Sequence, residues 1–326
     1  MSSTDASVGA EGGAVPSTAH DAAAPLWIIA GPTGAGKSAL ALDVAERLGA
    51  LLISADSRQV YRGFDIGTSK PTPAELTRVA HRGIDTADPT ERYSAARWAR
   101  EAAGWLDEAS ADGRPALVVG GTGLWLRALV RPLADEPPMD PEARAALQAE
   151  LAQLGTPALR ARVAVLDPPR AHLGRAQLLR AAELALLTGS RISDLHAAGR
   201  ARPGRGARWM IVDPADALPA RLAARLDAMW RAGWPDEVRR LIDAVPADAP
   251  AWNACGYREI RALVEGRCTE AAAREAILVS TRQYAKRQRT WFRNQLDEES
   301  AVLRLDPRAP EAPARAERWF RTGVDA

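Results

Sequence analysis

The octapeptide Gly31-Pro32-Thr33-Gly34-Ala35-Gly36-Lys37-Ser38 has the spacing G-x-x-x-x-G-K-[ST], the pattern of a loop that wraps phosphate groups. An apolar run precedes it and helical spacing follows it, the context such a loop needs. Its glycines let backbone amides point at phosphate oxygens, and the helix start adds a partial positive charge. Lys37 neutralises the terminal phosphate, and the Ser38 hydroxyl is of the type that holds Mg²⁺. The loop therefore suits a di- or triphosphate. It does not by itself specify ATP, because a phosphoryl-transfer enzyme also needs an acid at the end of an apolar strand to hold the metal. Asp56, after Leu51-Leu-Ile-Ser-Ala, is one such acid; Asp213, after Trp209-Met-Ile-Val, fits the pattern better. A third apolar strand ends in Val119-Gly120-Gly121-Thr122 and offers glycines and a hydroxyl instead. Nucleotide binding stays open at this point.

The elements that carry these residues follow from the hydrophobic pattern. Apolar runs at 26–30, 51–54, 116–119 and 209–212 read as buried strands, and helical spacing occupies 37–48 and 94–109. Strands that are apolar throughout and alternate with helices predict an α/β fold, a parallel sheet with helices on both faces. Near Arg131 the character changes. PLADEPPMDPE is a linker-like break, and Asp140-Pro141 reads as a helix cap and first turn. Only helical patterns run from 141 to 195, and further helices are expected near 216–232, 235–244, 256–265 and 269–296. The expected organisation is a disordered leader at 1–24, a core at 25–131 and 209–305, a helical insertion at 132–208, and a tail at 306–326.

The chain has 326 residues, enough for two domains at roughly 100–200 residues each. It carries 43 basic and 41 acidic side chains and a formal net charge of +2. No apolar run approaches the ~20 residues needed to span a bilayer, and the opening residues lack a secretory pattern. Two cysteines, Cys255 and Cys268, make neither a disulfide framework nor a zinc site and read as reduced structural thiols. Only three of the basic residues are lysines, Lys37, Lys70 and Lys286, which marks them as places where a compact ammonium is needed. Seven arginines against two acids lie between Arg175 and Arg208, and five basic residues with no acid lie between Arg282 and Arg293. Each run alone is an ordinary solvated face, but two on a nearly neutral chain make a polyanionic partner plausible.

GPTGAGKS, ISADSRQVYRGFDIGTSKP (53–71), HRGID (81–85), YSAARW (93–98), LVVGGTGLWLRAL (117–129) and RQYAKRQRTWFRNQ (282–295) together resemble the tRNA dimethylallyltransferase (tRNA isopentenyltransferase) family. The match runs in order over about residues 26–296, and all three lysines fall inside its blocks. The resemblance implies a P-loop NTPase-like core with an inserted helical tRNA-binding domain and a helical C-terminal portion. It also implies transfer of the dimethylallyl group of dimethylallyl diphosphate to the exocyclic amine of the adenosine just 3′ of the anticodon, in tRNAs reading codons that begin with U. Mg²⁺ assists, the partner is the tRNA anticodon stem-loop, and a cytoplasmic monomer without membrane attachment is expected.

Carried over by motif, Asp56 is the base that takes the proton of the amine, and Thr122 bonds the bridging oxygen of the diphosphate. Arg225 binds the diphosphate with residues 31–38, and Arg221 lies one helical turn away. Asp56 alternatively holds metal or caps a turn, and Thr122 also suits a helix cap. Asp56, Ser57, Arg58 and Gln59 read the adenosine and its neighbours. Asn253, Cys255, Gly256, Tyr257 and Arg258 resemble an anticodon-contacting motif in which Gly256 permits close approach. Arg144, Gln177, Arg180, Lys286 and Arg287 complete the expected tRNA contacts. One departure stands out: the family's Asn-Asp pair before R-A-L-E is absent at 173–183, and Gln177 replaces an arginine.

Three other readings remain at this level. A small-molecule kinase would use Asp56 or Asp213 for Mg²⁺, but leaves the basic C-terminal helix without a role. Prenyl transfer to free AMP, ADP or ATP needs no helical insertion. A non-enzymatic RNA-binding protein would have no use for Lys37, Asp56 and Thr122 together.

Overall fold

The computed structural model describes residues 25–131, 133, 136–201, 204–296 and 301–323; the expected leader at 1–24 lies outside them. The first half of the core runs β1 (Leu26–Ala30), α1 (Lys37–Leu48), β2 (Leu51–Ser54), α2 (Pro73–Arg78), β3 (His81–Arg82), α3 (Ala95–Ala111), β4 (Ala116–Gly120) and α4 (Gly123–Val130). The insertion holds α5 (Pro141–Gln153), α6 (Thr156–Leu166), α7 (Arg175–Thr188) and α8 (Ile192–Ala201). The chain returns through β5 (Ala207–Val212), α9 (Leu218–Arg231), α10 (Trp234–Ala244), α11 (Tyr257–Val264), α12 (Glu270–Asn294), β6 (Ala301–Leu305) and α13 (Ala312–Thr322).

The six strands form one parallel sheet in the order β3-β2-β4-β1-β5-β6. Successive side chains on a strand point to opposite faces, and both faces here are covered. Ile28, Ile53, Val118 and Ile211 enter a core shared with α3, α4 and the C-terminal helices. Ile29, Leu52, Leu117 and Met210 enter a second core under α1 and α13. Burial on both sides is why these strands read as unbroken apolar runs.

The insertion has its own core, built from Leu151, Leu159, Val163, Leu178, Leu184 and Ile192. Asp140 caps α5 by accepting from the Ala143 amide at 2.8 Å, as its sequence predicts. The Arg205 amide donates to the Val130 carbonyl at 2.8 Å, closing the neck where the chain leaves and re-enters the core.

Besides the short α2 and β3, two elements near the C-terminus were not expected. β6 adds a parallel edge strand beside β5. Within the stretch read as a tail, α13 buries Ala316, Trp319 and Phe320, and Trp319 and Phe320 both meet the Trp27 ring edge-on.

Candidate active site

β2, β4 and β1 are consecutive neighbours, so the turns at their C-terminal ends share one crevice. Open parallel sheets bind ligands at this kind of place. The turn after β1 is the phosphate loop, the turn after β4 carries Thr122, and the turn after β2 carries Asp56.

Within the loop, Lys37 donates from Nζ to the Pro32 carbonyl at 2.8 Å. Burial pulls its ammonium down to about 8, against the attraction of Asp56 and helped by the repulsion of Arg225. Ser38 is exposed at the start of α1. Two arginines one turn apart on α9 grip the loop from outside. Arg225 donates from Nη1 to Thr33 Oγ1 at 2.6 Å, and Arg221 donates from Nε to the Gly34 carbonyl at 2.9 Å. Leu218 and Leu222 of α9 pack on Ala285 of α12, which holds both guanidiniums toward the loop. Burial lowers the Arg225 pKa while Asp56 raises it. The structure thus brings Arg221 and Arg225 to the loop together.

Asp56 Oδ1 accepts from the Arg58 amide at 2.9 Å, so the carboxylate does close a local turn. Thr122 occupies the cap position of α4 but its side chain makes no capping bond. Its Oγ1 instead accepts from the Ser57 amide at 3.1 Å and lies beside the Tyr284 phenol. Burial, aided by the Asp56 charge, pushes that phenol up to about 12, so Tyr284 stays protonated. The expected helix-cap role of Thr122 is therefore replaced by a tie between the β2 and β4 turns.

Two cavities meet at this point. One, about 370 Å³, lies over the phosphate loop and is lined by Lys37, Ser38, Gly121 and Gln288 among others. The other, about 490 Å³, opens between α9, α11 and α12 and is lined by Ser57, Arg58, Tyr284 and Arg287 among others. Thr33, Asp56, Thr68 and Arg225 line both. Asp56 and Arg225 thus stand at the junction of a phosphate-sized site and a second site large enough for a base.

A family model described as IPP transferase matches residues 59–295, and one described as isopentenyl transferase matches residues 24–87. A tRNA dimethylallyltransferase of Rhodospirillum centenum is 44% identical over 87% of this chain and 92% of its own length. The chain belongs to the tRNA dimethylallyltransferase family. Another relative of that name, from Deinococcus radiodurans, is 40% identical over 90% of this chain and 97% of its own. The solved full-length tRNA isopentenylpyrophosphate transferase of Bacillus halodurans matches with TM-score 0.60 at 34% identity, covering 86% of this chain and 89% of that one. A eukaryotic dimethylallyltransferase acting on tRNA shares the fold, with TM-score 0.77 at 22% identity over 92% and 80%.

For a tRNA dimethylallyltransferase, the residues expected to meet RNA fall into three settings. Ser57, Arg58, Asn253, Cys255, Gly256, Arg258 and Arg287 do line the larger cavity. Cys255 Sγ lies 3.4 Å from Ser280 Oγ and 3.3 Å from Thr281 Oγ1. Arg287 stacks 5.8 Å over the Tyr284 ring, and Lys286 is exposed on α12.

The second setting is internal. Tyr257 is fully buried, donating from its hydroxyl to Glu237 Oε1 at 2.6 Å and accepting from the Gly67 amide at 3.1 Å. It cannot touch RNA and instead anchors the loop before Thr68. Gln59 accepts from Ser54 Oγ at 2.8 Å and donates to the Thr68 and Ser69 carbonyls at 3.2 and 2.9 Å, so its amide is spent on the same loop. Gly256 does serve a close approach, but the partner is protein: an added Cβ would lie 2.2 Å from the Trp234 ring.

The third setting is the insertion. Arg144 and Arg180 both pair with the buried Glu183, and Arg180 also pairs with Glu136. Burial pushes the Glu183 carboxyl up, but the two guanidiniums outweigh it and hold it below its ordinary value. Gln177 Oε1 accepts from the Gly174 amide at 3.1 Å, closing the start of α7. These three side chains hold the insertion together, and the two arginines keep 29% of their side-chain surface exposed.

Asp213, the rival metal acid, is gripped by Arg289 through bonds of 2.9 and 2.5 Å and does not line the loop cavity. Lys70 is only 5% exposed and clips together Asp65, Asp85 and the Tyr61 carbonyl, so its ammonium is structural. Two residues of the site were not singled out from sequence, Tyr284 and Gln288. Both lie within the R-Q-Y-A-K-R-Q block, four apart and hence on one helix face. That spacing was the available signal.

Proposed function

We propose that the enzyme transfers the dimethylallyl group of dimethylallyl diphosphate to the exocyclic amine of the adenosine immediately 3′ of the anticodon, in tRNAs reading codons beginning with U. The junction of the two cavities at Asp56 and Arg225 supports this reading most directly. The diphosphate occupies the loop side and the extruded adenine the other, the usual way an enzyme reaches one base of a folded RNA. The allylic carbon–oxygen bond breaks and its electron pair leaves with the diphosphate. Lys37, Arg225 and loop amides receive that charge, and Thr122 bonds the bridging oxygen. The amine nitrogen forms the new bond to carbon, and its proton passes to the Asp56 carboxylate.

The described residues hold no cluster of three His, Cys, Asp or Glu side chains that would bind a metal. A Mg²⁺ would fit as a partner of the exposed Ser38 hydroxyl and the substrate's own oxygens, the hard donors it takes. Bound there, it would supply further neutralisation of the leaving group. On this reading the loop serves the prenyl donor rather than ATP, and the pairing of Asp213 with Arg289 favours it over a kinase. No helix among the described residues is long and apolar enough to cross a membrane. The same proposal places the enzyme in the cytoplasm with its tRNA, as a monomer, which light scattering would test.

The deciding experiment supplies radiolabelled dimethylallyl diphosphate and Mg²⁺ with either unmodified tRNA or AMP, ADP and ATP, followed by nucleoside analysis. Label should appear on the tRNA adenosine beside the anticodon, and Asp56→Ala should lower kcat by about 10²- to 10⁴-fold. Label on free nucleotide, or ATP consumption without transfer, would refute the proposal.

A further inference from the structure

Gln288 is 6% exposed on α12, and its carboxamide is used at both ends. Oε1 accepts from the Thr33 amide at 2.8 Å, and Nε2 donates to the Gly121 carbonyl at 2.8 Å. Thr33 belongs to the phosphate loop, and Gly121 immediately precedes Thr122. One side chain therefore spans the two turns that handle the two ends of the same leaving group. A carboxamide supplies both the donor and the acceptor of this arrangement: a carboxylate lacks the donor, and a thioether lacks the donor and accepts only weakly. Gly121 is fitted to it, because an added Cβ would lie 2.3 Å from Nε2. One turn earlier on the same helix face, Tyr284 sits beside Thr122 itself.

Resting on the transfer reaction proposed above, we propose that Gln288 is a positioning residue that holds the diphosphate loop in register with Thr122. Its carboxamide, at the wall of the loop cavity, is spent on Thr33 and Gly121, and it acts through them. Its loss leaves the loop's own anion-binding groups in place but lets the two turns drift apart, and a displacement of about 1 Å near reacting atoms costs about 100-fold in rate.

The test compares wild type with Gln288→Met, similar in volume, and Gln288→Glu, which keeps only the acceptor, in steady-state transfer to tRNA. Both variants should lose about 10- to 100-fold in kcat, with KM for dimethylallyl diphosphate within about threefold of wild type. Gly121→Ala, which displaces the amide, should show the same loss, and adding it to Gln288→Ala should cost little more than Gln288→Ala alone. If one variant fails to fold, the others carry the same readout. Folded variants with wild-type kcat, or full multiplication of the effects in the double variant, would overturn the proposal. Wild-type protein that transfers no label would instead overturn the underlying reaction, and this proposal with it.

Discussion

Lys37 is the residue whose chemistry the site alters most plainly. An ammonium near 8 is still charged at neutral pH, but burial has brought it close to losing its proton before any anion arrives. A bound diphosphate favours the charged form and must raise that value. Binding below pH 8 therefore finds the cation ready, whereas binding above it must first draw a proton from solvent. Pyrophosphate affinity should fall between pH 7 and 9, by at most about tenfold per pH unit above the free value. Calorimetry in buffers of different ionisation heats should show proton uptake near pH 8, and Lys37→Met should lose both features beyond the ligand's own titration. A wild-type profile matching Lys37→Met would contradict the assignment. The other two lysines show why residue type alone misleads. Lys70 is also in a family block and also needs a compact ammonium, yet that ammonium closes a loop at the edge of the phosphate cavity through Asp65 and the Tyr61 carbonyl. Lys286 is simply exposed on α12.

At the scale of elements, α10, α11 and α12 form the wall against which the catalytic turns are set. Gly256, with φ of 90°, starts α11 where the Trp234 ring leaves no room for a side chain. Gly256→Ala should destabilise the protein by about 2–4 kcal/mol, from left-handed backbone cost plus overpacking. A lowered urea midpoint with unchanged slope would show it, and an unchanged midpoint would mean that the indole moves aside freely. The same wall marks what sequence could and could not convey. The strands at the centre of the sheet were legible because burial on both faces leaves an unbroken apolar run. The phosphate loop was legible because its spacing is a backbone requirement. β6 was not, since an edge strand with exposed Ala301 and Arg304 carries little apolar signal in five residues. Nor was the inward direction of Tyr257 and Gln59, or the reach of Gln288. A side chain's target depends on which helix lies opposite, and that is settled by packing rather than by neighbours in the chain.

For the whole molecule, the question is how an insertion with a separate core contributes to a reaction carried out elsewhere. Its described interior is small and aliphatic, and of its two buried carboxylates, Asp167 and Glu183, the latter holds Arg144, Arg180 and Gln148 at once. Glu183→Gln removes the charge while keeping an acceptor, leaving two partly exposed guanidiniums without their shared counter-charge. The cost should be about 1–3 kcal/mol, below that of a fully buried pair because water reaches the arginines. Because α5 to α8 pack mainly on one another, that cost should fall on the insertion rather than on the sheet. Hydrogen exchange should then speed up in α5 and α7 with little change in β1 or α1. If the insertion clamps tRNA as proposed, the KM for tRNA should rise while pyrophosphate affinity keeps its wild-type value. Faster exchange throughout the core, or weaker pyrophosphate binding, would mean that the insertion supports the catalytic crevice itself rather than the grip on RNA.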